Sequence, residues 1–342
     1  MLWARDGQPH YLIGDLPRFR KAQKKPRSKE EQEKVVEKFG KVRRKRYVDV
    51  GDVTSITHVF SVPKGLSDIR LVYNGTSSGL NDALWAPRFG LPMLEDTLRS
   101  LLPNYFQCDL DVGEMFLCFN LGMDLRPYAG VDITYMRNTS RATQEDWEKG
   151  RDRTWERWHR NFMGMKDSPY RSIQLMLMMK KLAYGKRTDQ NNPYQWERVE
   201  LNLPGSEDYD PTLPWVMKVR IDGHLACEIY VYVDDCRITG WSKLECWRAA
   251  RRLSGILNFL GCQDAFRKRT EPVVEAGPWS GGVTSTAGMV LVTVTIEKWK
   301  KTRALVEELN QLIQEDSRKL PRKRYVARTY KWMNPYTVRE CI

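Results

Sequence analysis

The sequence lacks several features that would place a protein in a class by themselves. None of its apolar runs reaches the roughly 18 residues of a membrane-spanning helix, and its first residues lack the apolar core of a signal peptide. Its seven cysteines form no Cys-x-x-Cys pair, and its four histidines do not cluster near them, which argues against a zinc site. We therefore expect an intracellular protein of the cytoplasm or nucleus, not a secreted one, with free thiols.

Acidic residues are outnumbered. The chain has 56 Lys and Arg against 43 Asp and Glu, a formal net charge of +13, and the excess is concentrated in short basic runs at residues 18–29, 41–46, 267–269 and 318–324. These runs favour a polyanionic partner such as nucleic acid, because each neutralised phosphate releases counterions. A solvated or nuclear-targeting tail is the alternative for any single run, since charge alone does not separate the two.

Length and composition predict a globular chain with more than one subdomain. The 342 residues are 41% apolar and 29% charged, enough for two or three packed subdomains. Strand-like and helix-like patterns alternate irregularly, so we predict the α+β class. The patterns predict helices over residues 28–40, 92–102, 168–183, 242–260 and 297–315, strands over 57–62, 69–73, 107–112, 215–220, 228–233 and 236–239, a hairpin over 283–295, and a long surface loop over 186–214.

Local capping signals mark the ends of several of these helices. Ser28 and Ser242 each precede a glutamate by three residues, the capping-box pattern, and Ser168 precedes a proline at the first helical position. Gly40 and Gly261 are predicted helix stops.

Two adjacent carboxylates stand where a hairpin is predicted to turn. The alternating run of residues 229–232 leads into Val233-Asp234-Asp235, and strand-like composition resumes at Cys236. Like charges side by side repel, so the pair is costly unless a cation such as Mg²⁺ neutralises it. For an isolated Asp-Asp pair, an ordinary exposed turn is the competing interpretation.

A second segment strengthens the interpretation as a metal site. Residues 107–112 also form a predicted strand that ends in carboxylates, with Asp109 and Asp111 on one face. A third carboxylate beside Asp234 and Asp235 would complete a site for two cations, which could clamp the attacking and leaving oxygens of a phosphoryl transfer. Such chemistry needs positioning and charge neutralisation and no Ser/His/Asp triad.

The order of these motifs resembles that of retroviral and LTR-retrotransposon reverse transcriptases. Asp111-Val-Gly-Glu-x-Phe is followed by Gly164-x-x-x-Ser-Pro and then by Tyr232-Val-Asp-Asp, and the resemblance spans roughly residues 55–315. It implies a right-hand polymerase with palm, fingers and thumb, an antiparallel palm sheet backed by helices, and RNA-directed DNA polymerase (nucleotidyltransferase) activity. It also implies two Mg²⁺ ions, with Mn²⁺ as an alternative, a template-primer of RNA or DNA, and deoxynucleoside triphosphates.

The resemblance assigns roles residue by residue. It implies that Asp111, Asp234, Asp235 and the backbone carbonyl of Val112 bind the metals and that Lys268, near the leaving pyrophosphate, is a general acid. The residues implied for nucleotide binding are Lys64, Arg70, Phe116, Met163 and Gly164, where Phe116 is the bulky residue that excludes a ribose 2′-hydroxyl. Those implied for the template-primer are Ser168, Pro169, Tyr232, Trp279 and Gly281. Asp109 falls outside the matched position and is predicted to be structural.

The resemblance also divides the chain. It implies a basic N-terminal extension (1–46), a fingers part (47–107), the first catalytic strand of the palm (108–122), a charged insertion (123–160), the rest of the palm (161–282), a thumb-like hairpin and helix (283–325) and a tail (326–342). No ribonuclease H, integrase or protease region is visible, which favours a fragment of a larger polyprotein.

Departures from the family pattern affect the nucleotide pocket. Met163 and Phe162 replace the usual Gln and Pro before the glycine, Met115 replaces a small residue, and Asn74 replaces a common Asp. Two alternatives stay open: a catalytically inactive, retroelement-derived nucleic-acid-binding protein, and a related palm-fold RNA polymerase.

Overall fold

The structure is a computed structural model that describes residues 7, 9–21, 23, 28–64, 67–92, 94–98, 100–134, 136, 154–186, 189 and 191–315. Residues 135 and 137–153 of the predicted insertion (123–160), residues 65–66 between two predicted strands, and the predicted tail (326–342) lie outside the described residues. The chain divides into two compact units, each assembled from several segments. Unit 1 comprises 1–90, 112–177 and 259–263, and unit 2 comprises 91–111, 178–258 and 264–342.

Unit 1 combines helices with short antiparallel ladders. Its helices are α1 (Lys29–Arg44) and α2 (Leu80–Ala83), and its strands are β1 (Val48–Asp49), β2 (His58–Lys64), β3 (Asp68–Asn74), β5 (Gly130–Asp132) and β6 (Trp155–Trp158). Strands β2 and β3 form a hairpin, and β6 lies between β1 and β5. The hydrophobic core of the unit includes Phe39, Leu80, Val131, Trp158 and Phe162, all almost fully buried.

Unit 2 is built on a four-stranded sheet. The strands are β4 (Phe106–Gly113, whose last two residues fall in unit 1), β9 (Glu228–Tyr232), β10 (Asp235–Gly240) and β11 (Gln263–Asp264), in the order β11–β4–β10–β9. The β4–β10 and β10–β9 ladders are antiparallel. Two further antiparallel hairpins are β7 (Arg198–Leu201) with β8 (Val216–Val219), and β12 (Val283–Ser285) with β13 (Leu291–Thr293). The helices are α3 (Leu94–Leu98), α5 (Lys243–Phe259) and α6 (Ile296–Glu315), while α4 (Ser168–Tyr184) runs from unit 1 into unit 2.

The structure confirms the mixed α/β class with antiparallel sheets and corrects several local predictions. Helix α1 does not stop at Gly40 but continues to Arg44, because the next turn carries Arg43, whose guanidinium is buried against Glu156. The helix predicted over 92–102 is reduced to α3. The loop predicted over 186–214 contains β7, which pairs with β8.

Two absences are confined to the described part of the chain. No helix there is long and apolar enough to cross a membrane. The six cysteines that the structure describes carry free thiols.

Candidate active site

The predicted hairpin of the Asp-Asp motif is present in unit 2. Strands β9 and β10 are joined by Val233 and Asp234, and Tyr232 pairs with Asp235 across the turn. Val233 has φ of +58°, a left-handed conformation that two-residue hairpin turns usually assign to glycine. A β-branched residue is strained there, and such strain is often found at functional sites.

The register of the sheet brings the third carboxylate to the same place. Asp111 on β4 is the direct cross-strand partner of Asp235 on β10. Side chains of directly opposed residues in an antiparallel pair share one face, with their Cβ atoms about 4.5–5.5 Å apart. The structure therefore places Asp111 beside Asp235 and, through the turn, near Asp234.

The electrostatics of this group are unfavourable for full ionisation. The pKa of Asp235 is raised to about 7, first by partial burial, then by the neighbouring carboxyl of Asp111 and by the charge of Asp234. The Lys268 ammonium opposes this shift. Asp111 is 5% exposed, and its Oδ1 atom is buried without a hydrogen-bond partner. The group thus has excess negative charge and an unsatisfied carboxylate oxygen, both of which a cation would relieve.

One cation is already present within the protein. The Nζ atom of Lys268 lies 2.8 Å from Oδ2 of Asp111, although the lysine side chain is 64% exposed. The hydrogen bond to Asp111 is the main reason why the pKa of Lys268 is raised, and burial opposes it. The next residue, Arg269, donates hydrogen bonds to Ser254 and Asp264, which hold the short 3₁₀ turn at Phe266–Lys268 in place.

The three carboxylates do not form a finished metal cluster. Across the residues that the structure describes, no group of three or more His, Cys, Asp or Glu side chains is arranged so that it could hold a metal ion. Val112 is buried in the strand position after Asp111. The structure brings Asp111, Asp235 and Lys268 into contact, with Asp234 near enough to influence two of them.

The next residue pair on the same face of this ladder, two positions along each strand, has balanced charges. Arg237 pairs with Asp109 across the strands and donates two hydrogen bonds to its carboxylate, at 2.8 and 2.9 Å. The guanidinium is fully buried and also donates to Thr284 and to the carbonyl of Gly277. Asp109 therefore has a complete partner and carries a structural role. Sequence reasoning missed Arg237, although pairing Asp111 with Asp235 necessarily pairs residues two positions away on each strand.

Trp279 and Gly281 form a tight turn in unit 2. Trp279 and Gly282 exchange backbone hydrogen bonds, and Ser280 and Gly281 between them both have positive φ, as in a type I′ turn. The Trp279 ring is buried and contacts Tyr230 and Tyr232 edge-on. Tyr232 and Trp279 are thus in contact, next to the turn that carries Gly281.

The predicted nucleotide-binding cations lie on the β2–β3 hairpin of unit 1. Lys64 pairs with Asp68 and Arg70 pairs with Val62, so both cations lie on one face of the hairpin as diagonal neighbours. Both side chains are exposed. Phe116 lies in the short 3₁₀ helix Met115–Cys118 and is half-buried, next to the buried Met115.

Gly164 has a full structural explanation inside unit 1. Its φ is +107°, and a Cβ atom there would lie 1.7 Å from the carbonyl oxygen of Tyr73. The adjacent Met163 accepts a hydrogen bond from the Tyr73 backbone N–H at 3.1 Å. Residues 163 and 164 therefore pack directly on strand β3, where only glycine fits at the second position.

Ser168 does not cap helix α4 as predicted. The helix begins at Ser168 itself, and the carbonyl of Asp167 accepts the first backbone hydrogen bond, from Arg171. The Ser168 hydroxyl is buried and donates to the carbonyl of Phe162 at 3.2 Å. Pro169 is therefore the second helical residue and not the first as predicted, but it still lies in the first turn, where its missing N–H costs no helical hydrogen bond.

Comparisons with known proteins found similarity to solved structures but not to known sequences. No family model and no curated protein sequence matches the chain. Among solved structures, the foamy viral protease-reverse transcriptase dRH in complex with double-stranded DNA is similar with a TM-score of 0.59 at 14% identity, over 86% of this chain and 40% of that chain. The foamy viral protease-reverse transcriptase in complex with double-stranded DNA gives 0.58 at 14% identity, over 86% and 48%. The same enzyme with an RNA/DNA hybrid gives 0.56 at 14% identity, over 86% and 31%. The chain thus spans less than half the length of these proteins, and it has a fold like theirs.

Proposed function

We propose that this chain is a reverse-transcriptase-like polymerase that extends a primer with deoxynucleoside triphosphates on an RNA template. The observation that carries the proposal is the β4–β10 register, which sets Asp111 directly opposite Asp235 beside Asp234. The likeness to foamy viral protease-reverse transcriptases supports it, because those structures are complexes with double-stranded DNA or an RNA/DNA hybrid.

Under this proposal the parts of a right-hand polymerase are assigned as follows. The four-stranded sheet that carries the carboxylates is the palm, the β2–β3 hairpin belongs to the fingers, and the β12–β13 hairpin with helix α6 is the thumb. The exposed cations of the β2–β3 hairpin, Lys64 and Arg70, hold the triphosphate, because a point charge and a fork-shaped donor suit phosphate oxygens. Phe116 selects deoxynucleotides by occupying the space of a 2′-hydroxyl.

The donor chemistry of the carboxylate group suits a hard divalent cation, although the described side chains are not arranged as a metal cluster in this structure. Its donors are carboxylate oxygens, one of them buried and without a hydrogen-bond partner among the described residues. The pKa of Asp235 is raised first by partial burial and then by the neighbouring carboxyls of Asp111 and Asp234. Asp111, Asp234, Asp235 and the Val112 carbonyl would hold Mg²⁺. When bound, Mg²⁺ supplies charge neutralisation for the transferring phosphoryl group.

Lys268 has two tasks in this arrangement. In the resting protein its ammonium neutralises Asp111, and the raised pKa keeps it protonated. A protonated, exposed lysine next to the carboxylates can give its proton to the departing pyrophosphate, which is general acid catalysis.

Primer extension on an annealed RNA template-primer tests the proposal. The purified chain with Mg²⁺ and deoxynucleoside triphosphates should lengthen the primer, and Asp234→Asn should abolish the product. Asp208→Asn, which removes the same charge from an exposed loop of unit 2, is the matched control and should be fully active. Activity that survives Asp234→Asn would refute the site assignment. A competition between ribonucleotides and deoxynucleotides excludes or supports a palm-fold RNA polymerase.

One observation favours a second candidate, an inactive nucleic-acid-binding protein. Lys268 already neutralises Asp111, and the described residues contain no ready metal cluster. A protein that binds template-primer tightly yet never extends it, even with Mn²⁺, would support this candidate.

A further inference from the structure

Unit 1 contains an open cleft lined by two arginines and one carboxylate. The cleft has a volume of about 360 Å³ and is lined by Arg46, Val48, Asp49, Asn120, His159 and Arg160. These residues come from the end of helix α1, strand β1, the segment after Phe119 and the segment after β6. The proposed polymerase function does not use any of them.

The charges around the cleft do not balance. Asp49 is the one carboxylate in its lining, and it is bonded to Nε of Arg157 at 3.1 Å and to Nε2 of His159 at 2.8 Å. In the part of the chain that the structure describes, neither Arg46 nor Arg160 forms an ion pair with a carboxylate. Among the described residues, their two positive charges therefore face the cleft without an ion-paired carboxylate.

A fourth guanidinium adds to the imbalance. The pKa of Arg126 is lowered, first by burial and then by the charges of Arg157 and Arg160, and the charge of Asp49 opposes this. Arg126 is thus close enough to Arg157 and Arg160 for their charges to act on it, and Arg46 lines the same cleft as Arg160. Like charges gathered in partly buried surroundings are stable only with an anion nearby.

The arginines are also held in position. The guanidinium of Arg160 lies over the ring of Tyr47, 5.9 Å from its centroid, and the Tyr47 hydroxyl donates to Glu114 at 2.8 Å. Arg157 packs on Gly51 so closely that a Cβ atom there would lie 2.3 Å from its guanidinium carbon. Groups fixed before binding lose less entropy when a ligand arrives.

We propose that this cleft is a phosphate-binding site for a nucleotide unit, separate from the candidate active site. Planar guanidiniums present paired donors that match phosphate oxygens, and lysines are absent from the lining. The volume lies at the lower end of the range for small-molecule sites, about 300–1,000 Å³, which suits a single nucleotide unit. The phosphate can come from a free nucleotide or pyrophosphate, or from the backbone of a nucleic-acid strand.

Calorimetric titration without Mg²⁺ tests the site with two ligands. Inorganic pyrophosphate represents the free source, and a short single-stranded oligonucleotide represents the strand. We expect the double variant Arg46→Gln/Arg160→Gln to bind at least one of them about tenfold more weakly or worse, because hydrogen bonds from a charged guanidinium to phosphate are among the stronger ones in proteins. Loss with pyrophosphate alone assigns the free source, loss with the oligonucleotide alone assigns the strand, and loss with both assigns the shared phosphate.

Three controls make the test specific. Arg88→Gln removes one exposed charge from the same unit and should leave both titrations unchanged. Arg160→Lys retains the charge and loses the fork, so intermediate binding is expected, and it serves as the second variant if the double one unfolds. Lys64→Gln weakens the proposed triphosphate site and should retain binding in the cleft. Titrations of the double variant and of Arg160→Lys that match that of Arg88→Gln would overturn the proposal, whatever primer extension shows.

Discussion

Two residue pairs on one face of the β4–β10 ladder, two positions apart, each contain a carboxylate from β4 and have opposite electrostatics. On the rung of Asp109 and Arg237, a carboxylate meets a buried guanidinium with two hydrogen bonds, so charge is balanced. On the rung of Asp111 and Asp235, two carboxylates face each other, and the exposed Lys268 forms an ion pair with Asp111. The Asp109–Arg237 pair stabilises the sheet, whereas the carboxylates of Asp111 and Asp235 repel each other near the end of strand β4. The comparison shows how a single strand can supply both a structural and a candidate catalytic carboxylate.

The largest expected effect concerns the repulsive rung. Asp235→Asn should lower primer extension by more than about a hundredfold, since even partners behind the metal ligands usually contribute tenfold to a hundredfold. The thermal midpoint should not fall, because the substitution relieves repulsion with Asp111 and Asp234. Single-turnover extension together with thermal unfolding checks both parts. If Asp235→Asn lowered both stability and activity, the Asp111–Asp235 pair would stabilise the fold just as the Asp109–Arg237 pair does, and the contrast between them would fail.

The balanced rung should respond in the opposite way. Arg237→Met leaves Asp109 without its buried partner and should destabilise the protein by about 3–5 kcal/mol. Adding Asp109→Asn should recover part of this loss, because the unpaired charge is then removed. Denaturant unfolding of the single and double variants measures the coupling. An equal cost for both variants would show that the pair is not coupled.

The pH dependence of stability tests the Asp111–Asp235 pair without removing any side chain from the sheet. The pKa of Asp235 is raised from its ordinary value of 3.8 to about 7, so the folded protein holds this proton more tightly than the unfolded chain. The contribution to stability is therefore complete below the ordinary value and is lost as the pH rises through about 7. Urea unfolding over this range should show a decline that Asp235→Asn flattens. Added Mg²⁺ should raise stability most at the high end, where the carboxylates are ionised.

The smallest expected effect concerns the turn that presents the repulsive rung. Val233→Gly relieves the left-handed strain at φ of +58° and should raise stability by about 1 kcal/mol. The same change at the buried Val231, in the adjacent strand, should lower stability instead. Thermal unfolding of the two variants decides whether strain is located in the turn. A loss of stability at position 233 would show that the valine side chain matters more than its backbone conformation.

Local signals were accurate where a few consecutive residues decide the outcome. Ser28 and Ser242 accept hydrogen bonds from the backbones of Glu31 and Glu245, as the capping patterns predict. In a full capping box, the glutamate side chain also accepts a hydrogen bond from the backbone N–H of the serine. The structure shows different partners, because Glu31 accepts from Ser61 and Glu245 accepts from Arg248. Both glutamates therefore form hydrogen bonds with residues outside the first turn of their helix, Ser61 on strand β2 and Arg248 in the second turn of α5.

The same limit explains the errors. Gly40 reads as a helix stop, yet the burial of Arg43 against Glu156, more than a hundred residues away, carries α1 onward. Strand β7 reads as loop because its residues are mostly exposed and its pairing with β8 supplies the order. In each case a distant contact outweighed the local preference.

The sequence by itself determined the carboxylate-bearing strands, the turn between β9 and β10 and the positive charge of the chain, because these depend on residue type and short-range alternation. Only the tertiary structure decided that Asp109 meets Arg237 while Asp111 meets Asp235 and Lys268. It also decided that Arg46, Asp49 and Arg160 line one cleft and that Arg157 is bonded to Asp49. The reason is that cross-strand register and cleft lining join segments more than a hundred residues apart, and no local pattern specifies which of them meet.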